Sequence, residues 1–189
     1  MAVIGIYGGA FSPPHVGHAL VATWILATGR ADLLVFVPAA NHPFGKKMAP
    51  FADRVDMCDA LVLDLGRRWR VAVSDIEASL PAPNYSINLL RAFQDLNPND
   101  HVRFVMGADN LAKRADWYGF DDIVREFDPI YVNRQGVVLP EGVVVDSPMF
   151  PDISSTTVRD RLAAGLPVDH LLTREVADLV RRRNLYAGG

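Results

Sequence analysis

Cysteine is almost absent from this chain of 189 residues. Cys58 stands alone, so no intramolecular disulfide can form and a reducing compartment fits. It falls within a helical apolar pattern and reads as packing, not as a nucleophile. No apolar run approaches the roughly 20 residues that span a bilayer. The first strand starts without a basic segment or a signal-like apolar core, and a cytoplasmic location is expected. Positive charge is not in excess either. The net charge of −3 argues against a general nucleic-acid or membrane-surface binder, while leaving room for a local basic pocket. Internal repeats, low-complexity tracts and linkers are all missing. With 50% hydrophobic and 22% charged residues, the chain has the composition of one globular domain, expected to span residues 1–189. The basic run Arg181-Arg182-Arg183 closes a helical pattern, where positive charge complements the dipole, and reads as a solvated face.

What is present is concentrated in Gly8-Gly9-Ala10-Phe11-Ser12-Pro13-Pro14-His15-Val16-Gly17-His18. The apolar run Val3-Ile4-Gly5-Ile6-Tyr7 before it reads as a buried strand, and Ala19 to Leu26 after it as a helix. A glycine pair at a strand end lets the backbone turn and approach a ligand closely. Pro13 and Pro14 suit a helix entry, where a missing N–H costs little. His15 and His18 then share one face of the first helical turn. A helix N-terminus already favours anions through its free N–H groups and its dipole. Two imidazoles added there suggest a site for phosphate undergoing chemistry. A zinc pair is the competing chemistry, but no nearby cysteine or carboxylate completes a metal set.

Beyond the first helix, Gly29 is a stop signal and Leu33–Pro38 reads as a second buried strand. Residues 41–50 form a loop by their Pro, Gly and Asn content. Helical spacing runs from Phe51 to Leu65, ended by Gly66. Arg70–Ser74 is a third strand candidate. Asn84 or Ser86 is placed to cap a helix running to about Asn97. His101–Met106 is a fourth strand, followed by a short helix near Leu111 and another over Asp121–Phe127. Pro129–Val132 and Gly142–Val145 are the fifth and sixth strands. Ser154 or Ser155 caps a helix that stops at Gly165, and Thr173 caps the last one. Strands alternating with helices predict an α/β, Rossmann-like fold: a mainly parallel central sheet with helices on both faces.

In such a sheet, ligands bind beyond the carboxyl ends of the strands, where strand order reverses. Four loops could converge there. The first is the glycine-histidine loop. The second holds Asn41, His42, Lys46 and Lys47. The third is Gly107-Ala108-Asp109-Asn110, with Asp109 placed to accept ribose hydroxyl protons or to cap the next helix. The fourth is Ile153-Ser154-Ser155-Thr156-Thr157-Val158-Arg159, which offers hydroxyls and N–H groups at a helix start with an arginine one turn on. That arrangement suits a polyphosphate.

The first loop resembles the His-x-Gly-His signature of the nucleotidyltransferase superfamily of adenylyl- and cytidylyltransferases, with Ser12 where that family usually has Asp or Asn. Ile-Ser-Ser-Thr-x-x-Arg resembles its second signature. Within the superfamily the chain is most similar to the bacterial nicotinate-nucleotide adenylyltransferases over almost its whole length, through Pro83-Asn84-Tyr85-Ser86, Phe104–Asp109, Trp117-Tyr118 and Asn184-Leu185-Tyr186. Two departures stand out. The family's Asn-Pro-Pro-His-Lys loop is here Asn41-His42-Pro43-Phe44-Gly45-Lys46, and its Tyr-Thr is Tyr85-Ser86.

The resemblance implies transfer of AMP from ATP to nicotinic acid mononucleotide, giving deamido-NAD and pyrophosphate, with Mg²⁺ accompanying ATP and no metal site of the protein's own. It implies His15, His18, Lys46 and Arg159 as catalytic residues. ATP would meet Gly8, Gly9, Phe11, His15, Gly17, His18, Gly107, Asp109, Ile153, Ser154, Ser155, Thr156 and Arg159. The mononucleotide would meet Gly9, Ala10, Asn41, Tyr85, Ser86, Trp117, Tyr118 and Arg134, with Tyr85, Ser86 and Trp117 around its pyridine ring. Small-molecule substrates are then the only partners expected, with no nucleic acid and no membrane, and no sequence signal fixes an oligomeric state. Other readings are an adenylyltransferase acting on nicotinamide mononucleotide or phosphopantetheine, a dinucleotide-dependent oxidoreductase, or a silent nucleotide-binding module. Gly5-x-x-Gly8-Gly9 lacks the Gly-x-Gly-x-x-Gly spacing, which counts against the oxidoreductase. A silent module would be expected to lose His18 or Arg159.

Overall fold

Val3 to Gly9 forms the middle strand of a five-stranded sheet, because its apolar residues can be buried on both faces at once. The computed structural model describes residues 1–40 and 48–187. Along the chain run β1 (Val3–Gly9), α1 (Val16–Ala27), β2 (Leu33–Pro38), α2 (Phe51–Leu65), β3 (Val71–Val73), α3 (Ser86–Leu96) and β4 (His101–Gly107). Then follow α4 (Asp109–Ala112), α5 (Phe120–Phe127), β5 (Ile130–Val132), α6 (Ser155–Ala163) and α7 (Arg174–Arg182). The strand order is β3-β2-β1-β4-β5, and every pairing is parallel. The chain winds outward through β2 and β3 and then returns to the other side of β1. The crevice between the carboxyl ends of β1 and β4 is therefore the switch point of the sheet. Gly8 and Gly9 end one of those strands and Gly107 ends the other.

Each face of the sheet carries its own core. On one side Phe36 and Val105 pack against Ile25 of α1, Met57 and Leu61 of α2, and Val176 and Val180 of α7. On the other, Ile4, Ile6, Val35 and Val37 meet Leu90 of α3 and Ile123 and Phe127 of α5. Cys58 is fully buried in the first core, and burial pushes its thiol up, consistent with packing alone. Among the described residues no helix is long and apolar enough to cross a membrane.

The expected sixth strand over Gly142–Val145 does not form. Residues 133–149 leave the sheet after β5 and return only as a single bridge between Arg134 and Phe150. The run is β-branched, but Pro140, Gly142 at φ 77° and Pro148 punctuate it, and Val144 remains 93% exposed. Strand propensity needs a paired, half-buried surface, and none is offered here. Neither Asn84 nor Ser86 caps α3. Tyr85 holds the N-cap position without a side-chain bond, and the Asn84 amide donates instead to the Glu77 carbonyl at 2.8 Å. Thr173 stands at the N-cap of α7, yet its buried Oγ1 makes no hydrogen bond. Ser154 does cap α6, accepting from the Thr157 N–H at 3.1 Å.

The turn before α5 carries Trp117. Gly119 sits at φ 71°, and a Cβ there would come within 3.2 Å of Ile87 Cγ2. Gly136 has a similar φ of 84° but open space around it. Gly119→Ala should therefore lower the unfolding free energy by more than the roughly 1–2 kcal/mol of left-handed strain alone, and Gly136→Ala by that strain alone. Urea unfolding of both variants checks the difference, and equal losses would mean that Ile87 gives way freely.

Candidate active site

His15 occupies the N-cap of α1 in extended conformation, with Val16 opening the helix. Its N–H donates to Nδ1 of His18 at 3.0 Å. The reciprocal arm of a capping box is not closed. The His18 N–H goes to the His15 carbonyl at 2.9 Å, which leaves His15 Nδ1 buried without a partner. The two rings stack with centroids 3.8 Å apart. Because His18 accepts through Nδ1, its proton resides on Nε2, so the ring is a neutral donor. Gly17 permits the stack. A Cβ on it would lie 2.9 Å from His15 Nδ1, so any side chain would push the ring aside.

Both imidazoles titrate below the ordinary range. Burial comes first for His15, followed by the Arg134 charge, and together they bring it to about 4. Burial, His15 and Arg134, in that order, hold His18 well below its usual value. Near neutral pH the pair is thus uncharged, and the positive charge that faces it belongs to Arg134.

Two clefts open side by side at the switch point. The first, about 230 Å³, is lined by His15, Gly17, His18, Asp109, Arg134 and Ile153 among others. The second, about 320 Å³, is lined by Gly8, Gly9, Ala10, Ser86, Phe104 and Trp117, together with Glu77 and Asn84. Tyr7, Gly107 and Asn110 border both. Trp117 reaches the second cleft with its ring tilted on Phe104 and edge-on to Phe120.

Several expected site residues stand elsewhere. Phe11 is 2% exposed and lies beneath the first cleft, edge-on to His18 and Phe36. It supports the imidazole and does not line the cleft. Tyr85 and Tyr118 stack on each other at 4.3 Å and line neither cleft; Tyr118 is 63% exposed. Arg134, expected beside the mononucleotide, borders the histidine cleft instead. Asn41 and Lys46, with His42 and Lys47, lie outside the described residues.

The serine-threonine run works as a brace. Ser155 Oγ donates to the Pro13 carbonyl at 2.8 Å, and Arg159 donates to the Ser12 carbonyl at 2.8 Å and to Thr156 Oγ1 at 3.2 Å. The first loop is gripped from its other side by Arg54, whose guanidinium donates to the carbonyls of Ala49 at 3.0 Å and Ala10 at 2.9 Å. Ala40, two residues beyond β2, donates to the buried Glu77 carboxylate at 3.1 Å. Burial pushes the Glu77 carboxyl up, while the Ala40 N–H, Asn84 and Arg54 draw it back. Sequence reasoning passed over Arg54, Glu77, Tyr7 and Asn110. Arg54 had a readable signal, a cation on the inward stripe of α2 beside Met57, Cys58 and Leu61. Asn110 sat in a loop already singled out.

Residues 6–161 match the cytidylyltransferase-like family. A protein of Anaeromyxobacter sp. (strain K) bearing the name "Probable nicotinate-nucleotide adenylyltransferase" is 37% identical over 98% of this chain and 97% of its own length. A protein of the same name from Shouchella clausii is 32% identical, with coverage of 98% and 97%. Among solved structures, nicotinic acid mononucleotide adenylyltransferase of Plasmodium falciparum in complex with NaAD has the same fold, at a TM-score of 0.81 and 20% identity over 98% of both chains.

The buried histidines set a pH dependence. Below about 6.5 the unfolded chain protonates His15, while the folded chain holds it neutral down to about 4. The unfolded state binds more protons in that window, so stability falls as pH falls through it. Glu77, with its raised carboxyl, acts in the opposite direction, so the informative quantity is a difference between proteins. Urea unfolding without nucleotide should show wild type losing up to about 3 kcal/mol more than His15→Gln between pH 7 and pH 4. Parallel profiles would mean that the imidazole is solvated in the empty site.

Proposed function

The chain belongs to the cytidylyltransferase-like family, and from that premise we propose that it is a nicotinate-nucleotide adenylyltransferase, moving AMP from ATP to nicotinic acid mononucleotide and releasing pyrophosphate. The observation that carries this reading is the pair of adjoining clefts with one common wall. The histidine cleft suits the ATP phosphates and the tryptophan cleft suits a flat pyridinium ring. The relatives' names point to the same reaction.

The 5′-phosphate of the mononucleotide attacks the α-phosphorus of ATP in line, the new P–O bond forms as the bond to pyrophosphate breaks, and deamido-NAD results. Substrate phosphate is already a nucleophile, so positioning and electrostatic stabilisation supply the catalysis. His18 offers its Nε2–H to the phosphates, and His15 holds it through the backbone bond to Nδ1. Arg134 supplies full charge at the same cleft. Arg159 and the Ser154–Thr156 turn hold the loop against departing pyrophosphate, and Asp109 receives ribose hydroxyls. Lys46 is assigned to the leaving group and Asn41 to the mononucleotide. Mg²⁺ enters as part of the ATP substrate. Only Asp109 among the carboxylates lines the histidine cleft, and the described residues contain no cluster of three His, Cys, Asp or Glu that would cage an ion. An ion accompanying ATP would take phosphate and water oxygens as ligands, with Asp109 the carboxylate at hand in that cleft, and would spread the phosphate charge.

Ring selectivity falls to the second cleft. The Tyr85 N–H is already taken by the Pro83 carbonyl at 3.0 Å. Donors for a carboxylate therefore come from the first turn of α3, where Ser86 lines the cleft and the helix dipole favours an anion.

Pyrophosphate release with ATP and Mg²⁺ should be far faster with nicotinic acid mononucleotide than with nicotinamide mononucleotide or phosphopantetheine. Preference for either of the latter overturns the substrate assignment. His18→Ala should lower turnover by roughly 10²-fold, the scale of losing one transition-state donor, with its circular dichroism unchanged.

Trp117→Ala should raise KM for both mononucleotides by roughly 2- to 30-fold, equivalent to ~0.5–2 kcal/mol of stacking and cation–π attraction, while the preference for nicotinate persists. Stacking cannot tell carboxylate from carboxamide, since both leave the ring flat and cationic. Loss of preference with little change in KM would place Trp117 at the ring substituent.

A further inference from the structure

Ser12 is the residue on which the first loop is hung, and the group that completes it comes from the far end of the chain. Its side chain is 1% exposed. Its Oγ accepts from the Ala49 N–H at 3.1 Å and shares a hydrogen bond of 3.0 Å with the hydroxyl of Tyr186, 174 positions later. Its carbonyl accepts from Arg159. Three separate elements therefore converge on one serine at the entrance to α1.

The route that brings Tyr186 there is costly. Asn184, at φ 51°, takes the left-handed conformation that asparagine commonly adopts just past a helix end, but Tyr186, at φ 63°, takes it as a bulky residue that it disfavours. The turn is tied to α7 by the Leu185 N–H on the Val180 carbonyl at 3.0 Å and the Asn184 N–H on the Arg181 carbonyl at 3.1 Å. Leu185 and Tyr186 also pack on the first core. An ordinary helix stop at Asn184 and one strained residue, Tyr186, bend the chain after α7 so that one phenol meets one serine. Strain of this kind persists where surrounding contacts over-determine it, which is characteristic of functional sites. Burial pushes the Tyr186 hydroxyl up to about 12, so it keeps its proton at working pH.

We propose that Tyr186 is a positioning residue for the ATP-side loop, holding Ser12 so that its carbonyl receives Arg159 and the loop delivers His15 and His18 to the cleft in register. The phenol touches no reacting atom. It acts through Ser12, and the reaction it serves is the adenylyl transfer proposed above.

Tyr186→Phe keeps the ring packing and removes only the hydroxyl. Calorimetry with a non-hydrolysable ATP analogue, which needs no acceptor, should show at least threefold weaker binding than wild type. Turnover should fall roughly 5- to 20-fold, as expected for sub-ångström misplacement of catalytic groups, while the melting midpoint moves by less than about 2 °C. Ser12→Ala, which also frees the Ala49 N–H, should lose at least as much, and the double variant no more than Ser12→Ala alone, because the Tyr186 hydroxyl acts only through Ser12. Affinity and turnover within twofold of wild type in Tyr186→Phe would overturn the proposal. So would losses that multiply in the double variant, or a loss that tracks a fall in melting temperature. Should Tyr186→Phe fail to fold, the serine variant's affinity for the analogue decides by the same limits. A wild-type protein that binds the analogue but makes no deamido-NAD would sink the substrate assignment and leave the role of Tyr186 standing.

Discussion

A cation removed from water must find its compensation inside the protein, and Arg54 finds it in the backbone of the loops that follow β1 and precede α2. Its side chain is 1% exposed, on the inward stripe of α2. The carbonyls of Ala10 and Ala49 receive its N–H groups, and the Glu77 carboxylate is close enough to feel its charge. Removing one partner from such a cluster leaves the others buried and unpaired, which is far more costly than the net worth of the contact. The position of the first loop is thereby tied to the integrity of the first core. Ser12, His15, Arg54 and Glu77 are the buried polar residues among those described, and all four stand at or behind this loop.

The same burial shapes the histidines. In water a pair of imidazoles would take up a proton at mildly acidic pH, but here desolvation and Arg134 keep both stacked rings neutral. Neutrality fixes the tautomer of His18 through its bond to the His15 N–H. A fixed neutral donor costs no reorganisation when charge develops on a phosphate oxygen, which is the condition for effective electrostatic catalysis. Full positive charge is held by Arg134, on the loop after β5, and is not carried by the helix itself.

Patterned elements were the most legible part of the chain. β2 and α2 match their expected limits, because an apolar run bounded by proline and a helical stripe ended by Gly66 each have one consistent reading. The failed strand at Gly142–Val145 shows the complement: a β-branched run without a neighbouring edge stays irregular. In the site, signatures confined to one loop could be read, and contacts that close over long separations could not. Nothing near Ser12 in sequence announces Tyr186, and nothing near Tyr118 says that its ring will stack on Tyr85, away from the cleft. Arg134 was visible as a cation but not as a neighbour of His15, because the irregular path after β5 decides where it points.

Joining two phosphate-bearing substrates means bringing like charges to bonding distance, and the wall between the clefts reflects that constraint. The residues common to both are a phenol, a glycine and a carboxamide. Asn110 is held there by its Nδ2–H on the Gly107 carbonyl at 3.0 Å, and burial holds the Tyr7 phenol far above its usual range, so it stays protonated. Neither adds negative charge to the wall between the clefts. Carboxylates are kept to separate clefts, Asp109 in one and Glu77 in the other, and Glu77 is restrained by Arg54 behind it. A carboxylate in place of Asn110 would repel both substrates at once, and a cation there would bind them in the ground state as strongly as in the transition state. Neutral donors at the junction with full charges around it meet both demands, because their stabilisation grows only as the new bond forms.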